Sequence, residues 1–388
     1  MDRLIKYILT TYVAVVILNA LLLPPLNVIS LDNLLFPLAG IAVVITFFRN
    51  KVFLISAILI GLLLASNLLS NYINGGLTLT EIAWTTRWLK LFAIGWSTYY
   101  VFRNNRQVFD GVLLIAFLGM VAVNALQLMG VSSVIELYAS RVEIGESLLN
   151  NLVDGRLFGT FINPNNNGLI MAMFGVYFFT SNIRWKYLLM TLASGIVLMT
   201  QSRTVFLAFI CVIALSGMYF LFKQSKKKFL LFLGGMAGLL LVLVQLKFSN
   251  LSSVFNGSAF YSNSITTRFR VVEKTIEANN GTPWFGQGKI NSFPDFFGDS
   301  IDDEYAYVYL EYGLVGLLLL GLLVVFLCVL SIRKKKVSLA ALGLIIMMLI
   351  CGLTNLSFSN MEIGPTFAVL LVAAYALSFP EIEQVIDQ

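Results

Sequence analysis

Histidine is absent from this chain of 388 residues, and charge of either sign is scarce: Lys, Arg, Asp and Glu together make up 12% of it. Without histidine, the usual zinc sites built from His and Cys are excluded. Proton transfer falls to Asp, Glu, Tyr, Lys or water. Cysteine is rare as well, and Cys211, Cys328 and Cys351 all sit inside apolar runs. They read as small buried hydrophobes, not as a disulfide framework or a metal site. So little charge excludes a soluble globule, in which about 25% of residues are charged.

Apolar side chains fill the chain instead, 58% of it. They fall into about twelve runs, roughly 6–24, 34–48, 52–70, 82–101, 109–128, 165–182, 186–201, 204–222, 229–246, 306–330, 338–354 and 362–379. Runs near 20 residues read as membrane-spanning helices, because a helix satisfies its own backbone hydrogen bonds in lipid. The fold expected is an all-α integral membrane protein, residues 1–388 forming a single polytopic domain. The run from Tyr7 to Leu23 is followed by Pro24-Pro25 and not by a small-residue cleavage site, so no cleavable signal is expected.

The net charge of +6 is unlike a nucleic-acid footprint, because the basic residues follow the gaps between runs. Sixteen of the 26 lie in alternate breaks: Arg3, Lys6, Arg49, Lys51, Arg103, Arg106, Arg184, Lys186, Lys223, Lys226–Lys228 and Arg333–Lys336. The positive-inside rule puts those breaks, and both termini, in the cytoplasm. The outer breaks are then 24–33, 71–81, 129–164, 202–203, 247–305 and 355–361. Two are long, 129–164 and the larger 247–305, and they are expected to cap an active site.

Other basic residues are not explained by orientation. Arg141, Arg156, Arg203, Arg268 and Arg270 each stand in polar, Gly- or Asn-rich outer sequence. Arg156 leads into Asn163-Pro164-Asn165-Asn166-Asn167-Gly168 and the sixth run. A residue before proline is held extended, so a helix start is expected after Asn163. Free N–H groups there, beside Arg156, favour an anion; an ordinary polar cap at the interface is the plain alternative. Arg203, in Gln201-Ser202-Arg203, joins two runs with hardly any loop. It either snorkels to headgroups or offers its planar fork to a diphosphate. Arg268 and Arg270 stand two apart on a candidate helix over 264–278, and so point about 200° apart. At most one of them faces a given ligand.

Carboxylates gather where the tenth run begins, at Asp302-Asp303-Glu304-Tyr305. Mutual repulsion and a membrane-edge setting favour a protonated member or a base; a hydrated acidic loop end is the alternative. Glu311, nearly two turns further in, needs a partner. Arg87 and Lys90, one turn apart in the fourth run, are candidates for pairing with it or for lining a pathway.

Taken in order, these pieces resemble the bacterial superfamily of O-antigen ligases and O-antigen polymerases of the Wzy type. The resemblance rests on Arg156…Gly159-Thr160-Phe161…Asn163-Pro164-Asn165, on Ser202-Arg203, and on a long outer loop with Arg268, Arg270 and Pro283-Trp-Phe-Gly286-Gln-Gly288. It closes with Tyr305…Leu310-Glu311-Tyr-Gly313-Leu-Val-Gly316, and it covers roughly residues 156–316. It implies glycosyl transfer at the periplasmic face of the bacterial inner membrane. A growing glycan would pass from undecaprenyl diphosphate to a lipid-linked repeat unit, with no cofactor or metal. Membrane lipid, a chain-length regulator and a flippase are the candidate partners; nucleic acid is not. Arg203 and Arg156, with Arg268 or Arg270, would neutralise the leaving diphosphate. Asp302, or failing it Glu304, would take the acceptor's proton. Asn163, Asn165, Tyr305 and Arg87 complete the expected substrate contacts.

One departure separates the branches. Ligases of the superfamily typically carry a His-Asn pair nine and eight residues before the glutamate that matches Glu311; here Asp302 and Asp303 stand there. That favours polymerase over a ligase acting on lipid A–core. A flippase or other transporter would suit the many runs and the intramembrane Arg87 and Lys90. Against it, transporters tend to repeat polar breaks in matching halves, whereas here polar residues concentrate in outer loops of the middle and second half.

Overall fold

The computed structural model describes residues 2–23, 31–47, 51–74, 78, 82, 85–139, 149, 152, 155–161, 163–181, 183–224, 259–288, 303–333, 336–355 and 363–379. Among these residues the regular structure is helical, apart from a two-residue antiparallel pair, β1 (Ile332–Arg333) with β2 (Lys336–Val337). The helices are α1 (Asp2–Leu22), α2 (Leu31–Phe47), α3 (Lys51–Asn74), α4 (Arg87–Asn104), α5 (Arg106–Leu128), α6 (Ser132–Ala139), α7 (Pro164–Thr180), α8 (Lys186–Met199), α9 (Arg203–Gln224), α10 (Ala259–Ala278), α11 (Glu304–Ser331), α12 (Leu339–Gly352) and α13 (Ile363–Ser378). Every apolar run read from the sequence is occupied by a helix, except 229–246, which lies outside the described residues. The polar segments contribute α6 and α10, the latter over the candidate helix of the large outer loop.

Position agrees better than length. Among the described residues, four helices are long and apolar enough to cross a membrane: Arg3–Leu22, Leu54–Asn74, Arg106–Leu128 and Glu304–Ser331. Leu31–Thr46, Lys186–Met199, Arg203–Tyr219, Leu339–Gly352 and Ile363–Ser378 are apolar but shorter. At 14 residues each, α8 and α12 reach about 21 Å, against a hydrocarbon core of about 30 Å. A stripe on α11, formed by Leu314, Leu318, Leu322, Val325 and Val329, faces away from the bundle. Its spacing of three and four residues makes one apolar helix face, as a lipid-facing surface requires.

The centre of the bundle is α7. Asn163 is extended (φ −123°, ψ 127°) and its side chain accepts a hydrogen bond from Asn165 N, so the Asn-Pro pair starts the helix with its first donors capped. Beyond the cap the helix is apolar all round, and it is buried without interruption from Asn166 to Phe178. It packs on α8, α9, α12 and α13. Gly168 and Gly175 set the closeness of two of these contacts: a Cβ would lie 2.6 Å from Thr200 Oγ1 at the first and 2.8 Å from the Phe209 ring at the second.

These contacts also align the helix ends. Gly343, in the first half of α12, packs on Val176 and Val212, whereas Gly352 at its end meets Tyr305 at the start of α11. Leu157, ahead of α7, bonds to Met199 at the end of α8. The starts of α4, α7, α9 and α11 therefore share one end of the bundle, where the sequence-derived outer breaks fall.

Candidate functional site

At this end a strap over 155–161 lies against the turn between α8 and α9. Leu157 N donates to Met199 O at 3.3 Å, and Gln201 Nε2 donates to Gly155 O at 3.3 Å. Arg156 is half-buried; its Nε donates to Thr200 O at 3.3 Å and its Nη2 to Asn165 Oδ1 at 3.2 Å. Gln201 takes φ 53°, a left-handed conformation uncommon outside glycine. The tight turn this makes buries Ser202 and leaves Arg203 exposed as the first residue of α9. The structure thus brings Arg156, Asn163 and Asn165 together with the turn that carries Arg203. The Arg156 guanidinium and the start of α7 then share one rim with the turn from which the exposed Arg203 begins α9, an arrangement suited to an anion.

Buried amides hold the strap. Gln127 on α5 makes a reciprocal pair with Gly159, donating from Nε2 to its O at 2.7 Å and accepting from its N at 2.9 Å. Asn167 donates to Asn124 Oδ1 at 2.7 Å and to Leu157 O at 3.2 Å. Thr160 Oγ1 donates to Leu21 O at 2.7 Å. A Cβ on Gly159 would sit 2.5 Å from Asn167 Oδ1, so these contacts leave no room for a side chain there.

Deeper lies a buried ionic centre. Arg87, at the start of α4, and Glu311, on α11, are 3% and 1% exposed and pair at 2.5 Å. The same guanidinium donates to Tyr312 Oη and, at 3.2 Å, to Tyr307 Oη. Trp88 Nε1 also donates to Tyr312 Oη, at 2.9 Å. One turn along α4, Lys90 pairs with Asp32 and donates to Asn33 Oδ1 at 2.6 Å, while Asn19 Nδ2 donates to Asp32 Oδ1 at 2.7 Å. Arg87 and Lys90, the two buried cations on α4, thus each have their own acid, which buried charge demands.

Gly313 interrupts α11 beside this centre, with φ 66° and ψ −162°, a region open essentially to glycine. The backbone groups freed by the break are taken by the turn over 283–288. Gln287 N donates to Leu310 O at 2.7 Å and Gly288 N to Glu311 O at 3.1 Å. Leu314 N donates to Pro283 O at 2.9 Å and Val315 N to Trp284 O at 3.0 Å. From α3, Ser70 Oγ donates to Glu311 O at 3.0 Å and Asn74 Nδ2 to Gly286 O at 2.7 Å.

The other sequence candidates are placed as follows. Glu304 is fully buried at the start of α11, after Asp303, whose side chain accepts from Ala306 N at 2.8 Å. Tyr305 Oη donates to Leu349 O at 2.8 Å. Arg270 is exposed on α10, and Arg268 lies on the same helix. Asp302, Arg141 and the side chain of Arg268 lie outside the described residues. Arg87, expected as a substrate contact, is drawn to Glu311 and its tyrosines. Among the described residues, no group of three or more His, Cys, Asp or Glu could hold a metal ion.

Residues 188–321, from the start of α8 into the inner part of α11, match the family model described as O-antigen ligase. Over that stretch the protein is similar to the O-antigen ligase and polymerase superfamily. Comparison with curated proteins finds no match. The matched stretch contains the Gln201-Ser202-Arg203 turn, α10, the glycine joint and Glu311; the strap with Arg156 and α4 with Arg87 lie before it. This similarity and the apolar helices together point to a multi-pass membrane protein with a glycosyltransferase-like function in O-antigen or lipopolysaccharide biosynthesis.

Sequence reasoning passed over the polar stripe of α3. Ser66, Asn67, Ser70, Asn71 and Asn74 recur every three or four residues, the first four of them buried. A polar face on an otherwise apolar helix was the available signal. The same signal marked Asn124 and Gln127, three apart on α5.

Proposed function

We propose that this protein is a polysaccharide polymerase, building O-antigen, capsule or a related surface polymer at the outer face of the inner membrane. It transfers a growing glycan from undecaprenyl diphosphate onto a lipid-linked repeat unit. The observation that carries this reading is the rim where Arg156, held by Asn165, meets the turn bearing Arg203. A departing diphosphate needs positive charge, and two arginines can supply it without a metal ion. Asn163 and Asn165 shape the mouth of the site, and Tyr305 flanks its acidic side.

Arg268 or Arg270, on the helix of the large loop, supplies a third contact. Asp302 is the first choice for the base that takes the acceptor hydroxyl's proton, with Glu304, on the adjoining first turn of α11, as the second. The histidine-free sequence supports polymerase over ligase, because Asp302 and Asp303 occupy the positions of the ligases' His-Asn pair. Purified protein supplied with lipid-linked repeat units alone tests the reading. A ladder of lipid-linked products supports it; unchanged single repeats refute it.

A further inference from the structure

Gly313 divides α11 into an outer piece, 304–312, and an inner piece, 314–331. In an unbroken helix the carbonyls of Leu310 and Glu311 would accept from the N–H groups of Leu314 and Val315. Here all four groups bond to the turn over 283–288. The outer piece is therefore not held in place by its own helix, but from the sides. Tyr305 ties it to α12, Asn279 Nδ2 ties it to the end of α10 by donating to Tyr309 O at 2.6 Å, and Ser70 ties it to α3. Arg87 has the longest reach, since one guanidinium meets Tyr307, Glu311 and Tyr312. Its carbon lies 5.6 Å from the centre of the Tyr307 ring and 5.7 Å from that of Tyr312, close enough for both rings to share its charge.

Burying an ion pair is a poor way to gain stability, because desolvation offsets much of the attraction. Such a pair is good at fixing geometry, since the guanidinium fork accepts few arrangements. We propose that Arg87 and Glu311 are positioning residues for the transfer site. Their pair fixes the outer piece of α11 as a unit, and with it the placement of Glu304. The turn over 283–288 extends the effect to α10 and its arginines, because Gln287 Nε2 donates to Ala278 O at 2.6 Å while its backbone N grips Leu310. The proposal rests on the functional reading above for what is being positioned, and on the joint itself for the lock.

A native cysteine reports on the lock. Cys351 is fully buried, and Tyr305 lies across its turn of α12: the Tyr305 hydroxyl bonds to Leu349 O, and its ring is 3.4 Å from where a Cβ on Gly352 would be. In a Cys211→Ala, Cys328→Ala background Cys351 is the single thiol, and its rate of labelling by a membrane-permeant maleimide measures release of the outer piece. Arg87→Gln and Glu311→Gln should each raise that rate about ten-fold or more, as expected when a charge-assisted hydrogen bond no longer opposes opening. Arg87→Lys should behave like Arg87→Gln, because an ammonium group cannot span three partners. Tyr307→Phe removes one hydroxyl and leaves the ion pair, so a smaller rise with an unchanged thermal melt separates local release from unfolding.

In the transfer assay the same variants should lose kcat about ten-fold while KM for the repeat unit moves less than about three-fold. Labelling at the parent rate in Arg87→Gln and Glu311→Gln overturns the proposal, as does a loss carried by KM alone, which would make Arg87 a direct substrate contact. If the parent makes no polymer, the functional reading falls, and the labelling rates alone decide whether the lock exists.

Discussion

Replacing Gly313 by alanine strikes the joint where it has least tolerance. The added Cβ would lie 2.5 Å from the carbonyl carbon and oxygen of Trp284 and 2.6 Å from Gly286 N, all backbone atoms that cannot swing aside. The position also requires φ 66°, ψ −162°, which costs a residue with a side chain about 1–3 kcal/mol. Separating the strands of the joint breaks first the bonds from Leu314 N and Val315 N to Pro283 O and Trp284 O. At about 1 kcal/mol each, these bring the expected loss to roughly 3–5 kcal/mol. Reversible unfolding in mixed micelles, followed by tryptophan fluorescence, measures it. Gly321→Ala, further along the same helix with open space around its Cβ position, is the control and should stabilise by about 0.5–1 kcal/mol. A Gly313→Ala protein within about 1 kcal/mol of the parent would refute the reasoning, since the break would then not depend on glycine.

Two further perturbations bear on buried charge and on proton transfer. Removing one member of the second ion pair, by Lys90→Met or Asp32→Leu, should cost about 3–5 kcal/mol in the same unfolding experiment, because the other charge is left buried without it. The double variant should recover most of that loss, and equal costs for single and double variants would contradict the pairing. Asp302→Asn should cut turnover far more than binding of the lipid-linked repeat unit, read as a fall in kcat at nearly constant KM. Unchanged turnover would transfer the role of base to Glu304.

The parts of the molecule that the sequence disclosed are those written in local patterns. Apolar runs located the helices, and Asn163-Pro164 located the start of α7, because capping and pre-proline geometry involve only neighbouring residues. The need of Glu311 for a partner could be read from its depth in an apolar run, and Arg87 stood on the short list. Helix length was less accessible: α12 is shortened where the turn and cap at its ends draw it into the bundle, and such effects depend on packing. The joint between Gly313 and the turn over 283–288 was legible only as two glycine-bearing motifs. Their mutual contact joins positions about thirty residues apart through backbone atoms, which leave little trace in side-chain pattern beyond the glycines themselves. The amides that hold the strap, Asn124 and Gln127, were hidden for another reason. They form a small polar face three residues apart on α5, whose purpose shows only when the strap over 155–161 is folded against it.

The central claim is that the arginine rim receives the diphosphate of a lipid-linked glycan. Its most direct test is the product ladder made from lipid-linked repeat units by purified parent, Arg203→Ala, Arg156→Ala and Arg203→Lys proteins at equal membrane-reconstituted amounts. The account predicts long products from the parent, single repeats from both alanine variants, and poor rescue by lysine, whose ammonium lacks the bidentate fork. Near-normal ladders from both alanine variants would contradict it.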